Sequence, residues 1–72
     1  MATSADIEAI FGGRAYVRER ELLACLPLSR TTLWRWERLQ QFPKAVRLGA
    51  GIKAWRVADV VRWLQDREGV SP

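Results

Sequence analysis

With one cysteine, Cys25, and no histidine among 72 residues, this chain lacks both of the usual staples of a small domain. A disulfide within the chain is impossible, and zinc sites of the Cys/His kinds are excluded. Apolar burial must hold the fold, and at this length every large apolar side chain counts towards stability. Four tryptophans, at 34, 36, 55 and 63, are the largest contributors on offer. Cys25 lies in an apolar helical stretch and reads as a buried structural thiol, which suits a reducing cytoplasm.

The same composition closes the common catalytic routes. A Ser-His or Cys-His nucleophile pair has no base. Asp59, Asp66 and Glu68 sit in a helical pattern with Arg62 and Arg67, where surface pairing accounts for them better than acid–base work. Gly49 and Gly51 flank Ala50 without the other residues of a phosphate-binding loop and read as a turn. No enzymatic activity, cofactor, metal or small-molecule ligand is expected. The segment Met1 to Gly13 carries Asp6 and Glu8 and no long apolar run, so neither a secretory signal nor a membrane span is expected.

Charge is concentrated in the middle of the chain. From Ser29 to Arg56 there are seven positive side chains (Arg30, Arg35, Arg38, Lys44, Arg47, Lys53, Arg56) and one negative, Glu37, interleaved with Trp34, Trp36 and Trp55. That stretch is +6 and the remainder −2, which together make the formal +4. Cations clustered among planar side chains suit a polyanion, since phosphate neutralisation supplies much of nucleic-acid affinity. A solvated basic face is the bland alternative.

Local signals divide the chain into a flexible N-terminal segment at 1–13, a folded domain at 14–68 and a flexible tail at 69–72. Met1 to Ser4 is expected to be disordered, Ile7 to Phe11 to reach at most a turn of helix, and Gly12-Gly13 to mark a boundary. Tyr16 and Val17 suit a short strand or extended lead-in. Leu22, Leu23 and Leu26 give a helix from about Glu19 to Leu26 an apolar face, and Pro27 stops it. Ser29 can cap a second helix starting at Arg30, although Thr32 in place of Glu or Gln denies it a full capping box. At about 100° per residue, Leu33, Trp36 and Leu39 fall on one side of that helix, the expected core side. Arg30, Thr31, Trp34, Arg35 and Arg38 share the other, while Thr32 at the margin suits packing or local capping. Trp34 either projects between Arg30 and Arg38 or folds back onto Phe42 or the preceding helix.

After Phe42-Pro43 the texture changes. Val46, Leu48, Ile52 and Ala54 alternate with Arg47 and Lys53 around Gly49-Ala50-Gly51, predicting a β-hairpin. Arg47 and Lys53 then project opposite Val46 and Leu48, as suits a wing laid on a nucleic-acid backbone or minor groove. The alternative for each is a charge that protects an edge strand. Trp55 is expected to turn inward. Val60, Trp63, Leu64 and Arg67 at i, i+3, i+4, i+7 predict a last helix, which Gly69 ends.

The fold class is therefore mainly α with a small β-hairpin. Among the outward residues, Arg30, Thr31, Trp34 and Arg35 are candidates for base contact, because guanidinium forks match guanine acceptors in the major groove. Arg38, Lys44, Arg47 and Lys53 are candidates for phosphate or wing contact.

The stretches LSRTTLWRW, FPKAVRLG and AWRVADVVRWLQDR carry a resemblance. Leu28-Ser29-Arg30, Trp34-Arg35, Phe42-Pro43, Leu48-Gly49, then Trp55, Val60, Trp63 and Arg67 are similar in order and spacing to the AlpA family of small phage regulators and to the related excisionases. The resemblance spans roughly Arg18 to Arg67. It implies a winged helix-turn-helix of the MerR-like, excisionase-like kind, with a recognition helix at about 30–40 in the major groove and a wing at about 46–55. It implies a bacterial or phage-encoded, cytoplasmic, nucleoid-associated protein that binds double-stranded DNA without catalysis. Trp34 stands where a tyrosine is usual, Pro27 where glycine is frequent and Ala58 where serine is frequent. The first bears on base preference and the others on local geometry.

The expected function is sequence-specific DNA binding, as a transcriptional regulator or as an excisionase that bends DNA for a site-specific recombinase. An integrase or further copies of the chain on DNA are the additional candidate partners. The competing reading is a protein–protein adaptor that docks through the 57–67 helix and Trp34.

Overall fold

The computed structural model describes residues 3–69, and within them the chain folds as four helices around a three-stranded antiparallel sheet. In chain order these are α1 (Ser4–Phe11), β1 (Tyr16–Arg18), α2 (Glu19–Cys25), α3 (Arg30–Arg38), β2 (Val46–Gly49), β3 (Ile52–Arg56) and α4 (Val57–Glu68). The sheet order is β1-β3-β2, so the hairpin's second strand is central and the short lead-in strand closes one side. The mainly α architecture with a small hairpin read from the residues is the one formed, and it fits the winged-helix-like fold that the resemblance implies.

Local chemistry accounts for the helix ends. Glu21 at the third position of α2 accepts the Arg18 amide at 2.9 Å, and Leu26, extended ahead of Pro27, ends that helix. Ser29 Oγ accepts the Thr32 amide at 3.1 Å and donates to Thr32 Oγ1 at 2.9 Å, so Thr32 serves the cap. At the far end of α3 the chain folds back through Gln40, which is left-handed at φ 61°. The Gln41 amide reaches the Trp36 carbonyl at 2.7 Å and the Gln40 amide that of Glu37 at 3.2 Å, the two bonds of a Schellman ending. This corrects the expectation for Leu39. The helix stops at Arg38, and Leu39, carried off the core face by the turn, is 55% exposed. Because a side chain in this backbone region carries strain that glycine lacks, Gln40→Gly should raise stability by about 0.5–1 kcal/mol in urea titrations.

Trp55 is the centre of the core. It is fully buried, its ring stands edge-on to Phe42 with centroids 6.3 Å apart, and its Nε1–H donates to the Pro43 carbonyl at 2.9 Å. Phe42 in turn meets Trp63 at 4.7 Å. Leu22 and Leu26 of α2, Leu33 of α3, Val17 of β1 and Val57, Val60, Val61 and Leu64 of α4 complete it. Cys25 is half-buried against this cluster.

The N-terminal segment departs from expectation. Instead of a flexible stretch over 1–13, Ser4–Phe11 is helical and packs along α4, with Ile7 fully buried and Phe11 6% exposed. Thr3 and Asp6 form a reciprocal cap, and Ser4 donates through both its amide and its hydroxyl to Glu68, each at 2.7 Å. Gly12, the C-cap of α1, passes so close to the Glu8 carbonyl that no Cβ would fit. Gly69, at φ 78°, caps α4. Of the segments expected to be disordered or frayed, Met1, Ala2 and the tail from Val70 to Pro72 lie outside the described residues.

The hairpin is present, and Arg47 and Lys53 share the side opposite Val46 as alternation suggests, but that side is also the one from which Trp55 enters the core. Trp55 and its register partner Val17 are buried on that side. Lys53, two residues before Trp55, shares that face, with Nζ 5.4 Å from the indole centroid. Arg47, opposite Lys53, belongs to the same side. Ile52 lies on the outer side and is 42% exposed, and Leu48, at an irregularity in the register, is 48% exposed. Ala54 is buried between its flanking partners Arg18 and Val46. Charge on a strand does not decide which way it turns when a neighbouring acid can receive it, and one does here.

Candidate nucleic-acid interface

Helix α3 presents its polar side to solvent. Arg30, Thr31, Trp34, Arg35 and Arg38 are all exposed, while Leu33 is buried and Trp36 partly so. Trp34, half exposed, does not fold onto Phe42. Its Nε1–H donates to Glu19 Oε1 at 2.6 Å, which ties the outward ring to α2 by its polar edge. The other oxygen of the same carboxylate meets Arg30 Nε at 3.1 Å. Glu19 thus holds two of the four candidate base contacts.

Glu37, the one acid in the basic segment, points away from that side. It is 15% exposed, accepts the Ala45 amide at 2.7 Å and pairs with Lys53 Nζ at 2.8 Å. Lys53 is therefore not the free wing cation that the sequence suggests. It ties β3 to α3 and lies against Trp55. Among the described residues, Arg35, Arg38, Lys44, Arg47 and Arg56 have no ion-pair partner and are exposed. The Glu37–Lys53 pair is neutral in sum, so the net +6 of this segment rests on its six other cations.

Helix α3 and the hairpin meet. A shallow cleft is lined by Arg18, Glu19, Arg20 and Arg30 from β1, α2 and α3 and by Gly51 and Lys53 from the hairpin. The front of α3 and the tip of the hairpin accordingly border one concavity instead of lying at opposite poles. Arg18 and Arg20 were not singled out by sequence, since they stand among acids in a locally neutral stretch. Glu19 and Glu37 were missed for the same reason that most long-range pairs are: their partners lie 11 to 16 residues away, beyond any helical or strand period.

Glu21, which also lines the cleft, receives both terminal nitrogens of Arg14 and the Arg18 amide. The hydrogen bond from Arg14 above all, with that from Arg18, pulls its carboxyl down to about 2. A carboxylate whose folded value is depressed contributes stability above its unfolded value and loses it as pH falls towards the folded one. The melting-temperature difference between the parent and Glu21→Gln should hold at pH 6 and shrink between about pH 4.5 and 2.

The last helix turns Val57, Val60, Val61 and Leu64 inward and leaves Trp63 partly exposed. Arg67 lies over Trp63 with its guanidinium carbon 4.9 Å from the ring centroid, and Trp63 Nε1–H donates to the Gln41 carbonyl at 2.8 Å. Among the described residues there is no group of three or more acidic, Cys or His side chains placed to hold a metal ion. No described helix is long and apolar enough to cross a membrane.

Residues 15–68 match the family model described as prophage CP4-57 regulatory protein (AlpA). That span is about three quarters of the chain and runs from the residue before β1 to the end of α4, leaving α1 outside. The chain belongs to the AlpA family of phage regulators. Neither the curated proteins nor the solved structures contain a match.

Proposed function

We propose that this AlpA-family chain binds double-stranded DNA in a sequence-specific manner, as a transcriptional regulator or as an excisionase that bends DNA to direct a site-specific recombinase. The observation that carries the reading is the shared concavity of α3 and the hairpin, next to exposed cations that have no internal acid. In this reading α3 enters the major groove with Arg30, Thr31, Trp34 and Arg35 at base edges. Arg38, Lys44 and Arg47 meet phosphates and set register. Lys53 acts mainly by bracing the wing through Glu37. One small domain buries little surface on DNA, so further copies on adjacent sites or an integrase bound nearby would supply the remaining selectivity.

The test is a mobility shift at several salt concentrations on duplex selected from a random library. Neutralising three to five phosphates would give a log–log slope of roughly −3 to −5. Absence of retardation at low salt overturns the proposal and favours an adaptor that docks through half-exposed Trp34. That adaptor is the weaker reading, because the apolar side of α4, its other docking element, is occupied by the core. Arg35→Ala should lose about 1–3 kcal/mol of preference for the selected site over random duplex. Arg47→Ala should weaken both alike and flatten the slope by about one unit. A recombination assay with an integrase encoded beside the gene separates excisionase from regulator.

A further inference from the structure

Arg30 differs from every other exposed cation on α3 in being held. Its ion pair with Glu19 brings Nε to 3.1 Å from the carboxylate, and among the described residues no hydrogen bond takes its two terminal nitrogens. Those two nitrogens form the fork that addresses O6 and N7 of a guanine. A guanidinium drawn to an acid on its Nε side, with its fork unbonded, samples fewer orientations before any base arrives, so less entropy remains to be lost on docking. The second oxygen of Glu19 holds the indole edge of Trp34, one helical turn on, at 2.6 Å. Arg30, Trp34 and α2 are thereby set in one arrangement by a single carboxylate.

That carboxylate also has an electrostatic effect. It lines the cleft between α3 and the wing and would face phosphate of the same sign. Paired with Glu19, Arg30 contributes little net charge to attract a backbone, so non-specific affinity falls while the fork stays available to a base edge.

We infer that Glu19 is a specificity-determining positioning residue, which orients Arg30 for a guanine edge, steadies Trp34 and suppresses binding to random duplex. The inference rests on the DNA-binding reading above. Its test is a double-mutant cycle on the full chain with Glu19→Ala, Arg30→Ala and the pair, read as the ratio of affinity for the selected site to that for random duplex. Glu19→Ala should lower the ratio about tenfold, bind random duplex several-fold more tightly and steepen its salt slope by about one unit as Arg30 becomes a free phosphate contact. Once Arg30 is alanine, the effect of Glu19→Ala on the ratio should shrink to the share carried through Trp34, about two- to threefold. Glu19→Gln, which keeps the acceptor oxygen and loses the charge, should steepen the slope while retaining most of the ratio. Thermal melts of all variants accompany the cycle, since a purely structural Glu19 would move stability without moving the slope. A wild type that selects no site overturns both this inference and the reading beneath it. A selective wild type whose two substitutions are additive, or a Glu19→Ala variant with unchanged ratio and slope, overturns the role of Glu19 alone.

Discussion

Trp55→Ala should remove about 3–5 kcal/mol of stability, as large aromatic deletions in closed cores do. Few domains of this size can absorb it. At about 0.05–0.15 kcal/mol per residue the whole chain has roughly 4–11 kcal/mol. Trp55 is fully buried on the central strand, faces Phe42 edge-on and gives its indole hydrogen to the Pro43 carbonyl. Alanine leaves a cavity with no side chain positioned to fill it and strands that carbonyl without a partner. Trp55→Phe keeps most of the apolar volume and loses the hydrogen bond, so it should cost about 1–2 kcal/mol. Urea titrations followed by far-ultraviolet circular dichroism measure both. A Trp55→Ala variant within about 1 kcal/mol of the parent would mean that the tryptophan does not close the core.

The second large effect is expected at the segment that sequence patterning treated as flexible. Ile7→Ala should cost about 2–5 kcal/mol, because Ile7 is fully buried between α1 and the core. Ile10, three residues on, is 57% exposed, and Ile10→Ala should stay within about 0.5 kcal/mol. Because the family match begins at residue 15, the contrast also asks whether the matched span can stand alone. Chain lacking residues 1–13 exposes the α4 surface that Ile7 and Phe11 cover and should melt well below the full protein. Equal melting temperatures for Ile7→Ala and Ile10→Ala would show that α1 is not docked.

Much of the candidate interface was legible because it is local. Arg30, Thr31, Trp34, Arg35 and Arg38 lie within nine residues, and a helix wheel alone turns them to one side. Their common direction needed only Ser29 as a cap and Leu33 as an anchor. The internal partner of Lys53 was not legible, because strand alternation says which residues share a face and nothing about what that face meets. Glu37, 16 residues back, settled that by taking the lysine. Leu39 failed for a different reason, since a wheel drawn past Arg38 assumes a helix that Gln40 has already ended.

From the sequence alone came the segments and their order: a helix stopped by Pro27, another capped by Ser29, a hairpin around Gly49-Ala50-Gly51 and a last helix with one apolar side. These depend on backbone preferences and on periods of two and 3.6, which neighbours within a few residues determine. Tertiary structure decided the docking of α1 on α4, the inward side of the hairpin, the withdrawal of Glu37 and Lys53 into a brace, and the hold of Glu19 on Arg30 and Trp34. Each of these joins residues many positions apart, and such contacts exist only after the chain has closed on itself, where burial and charge pairing outweigh any local preference.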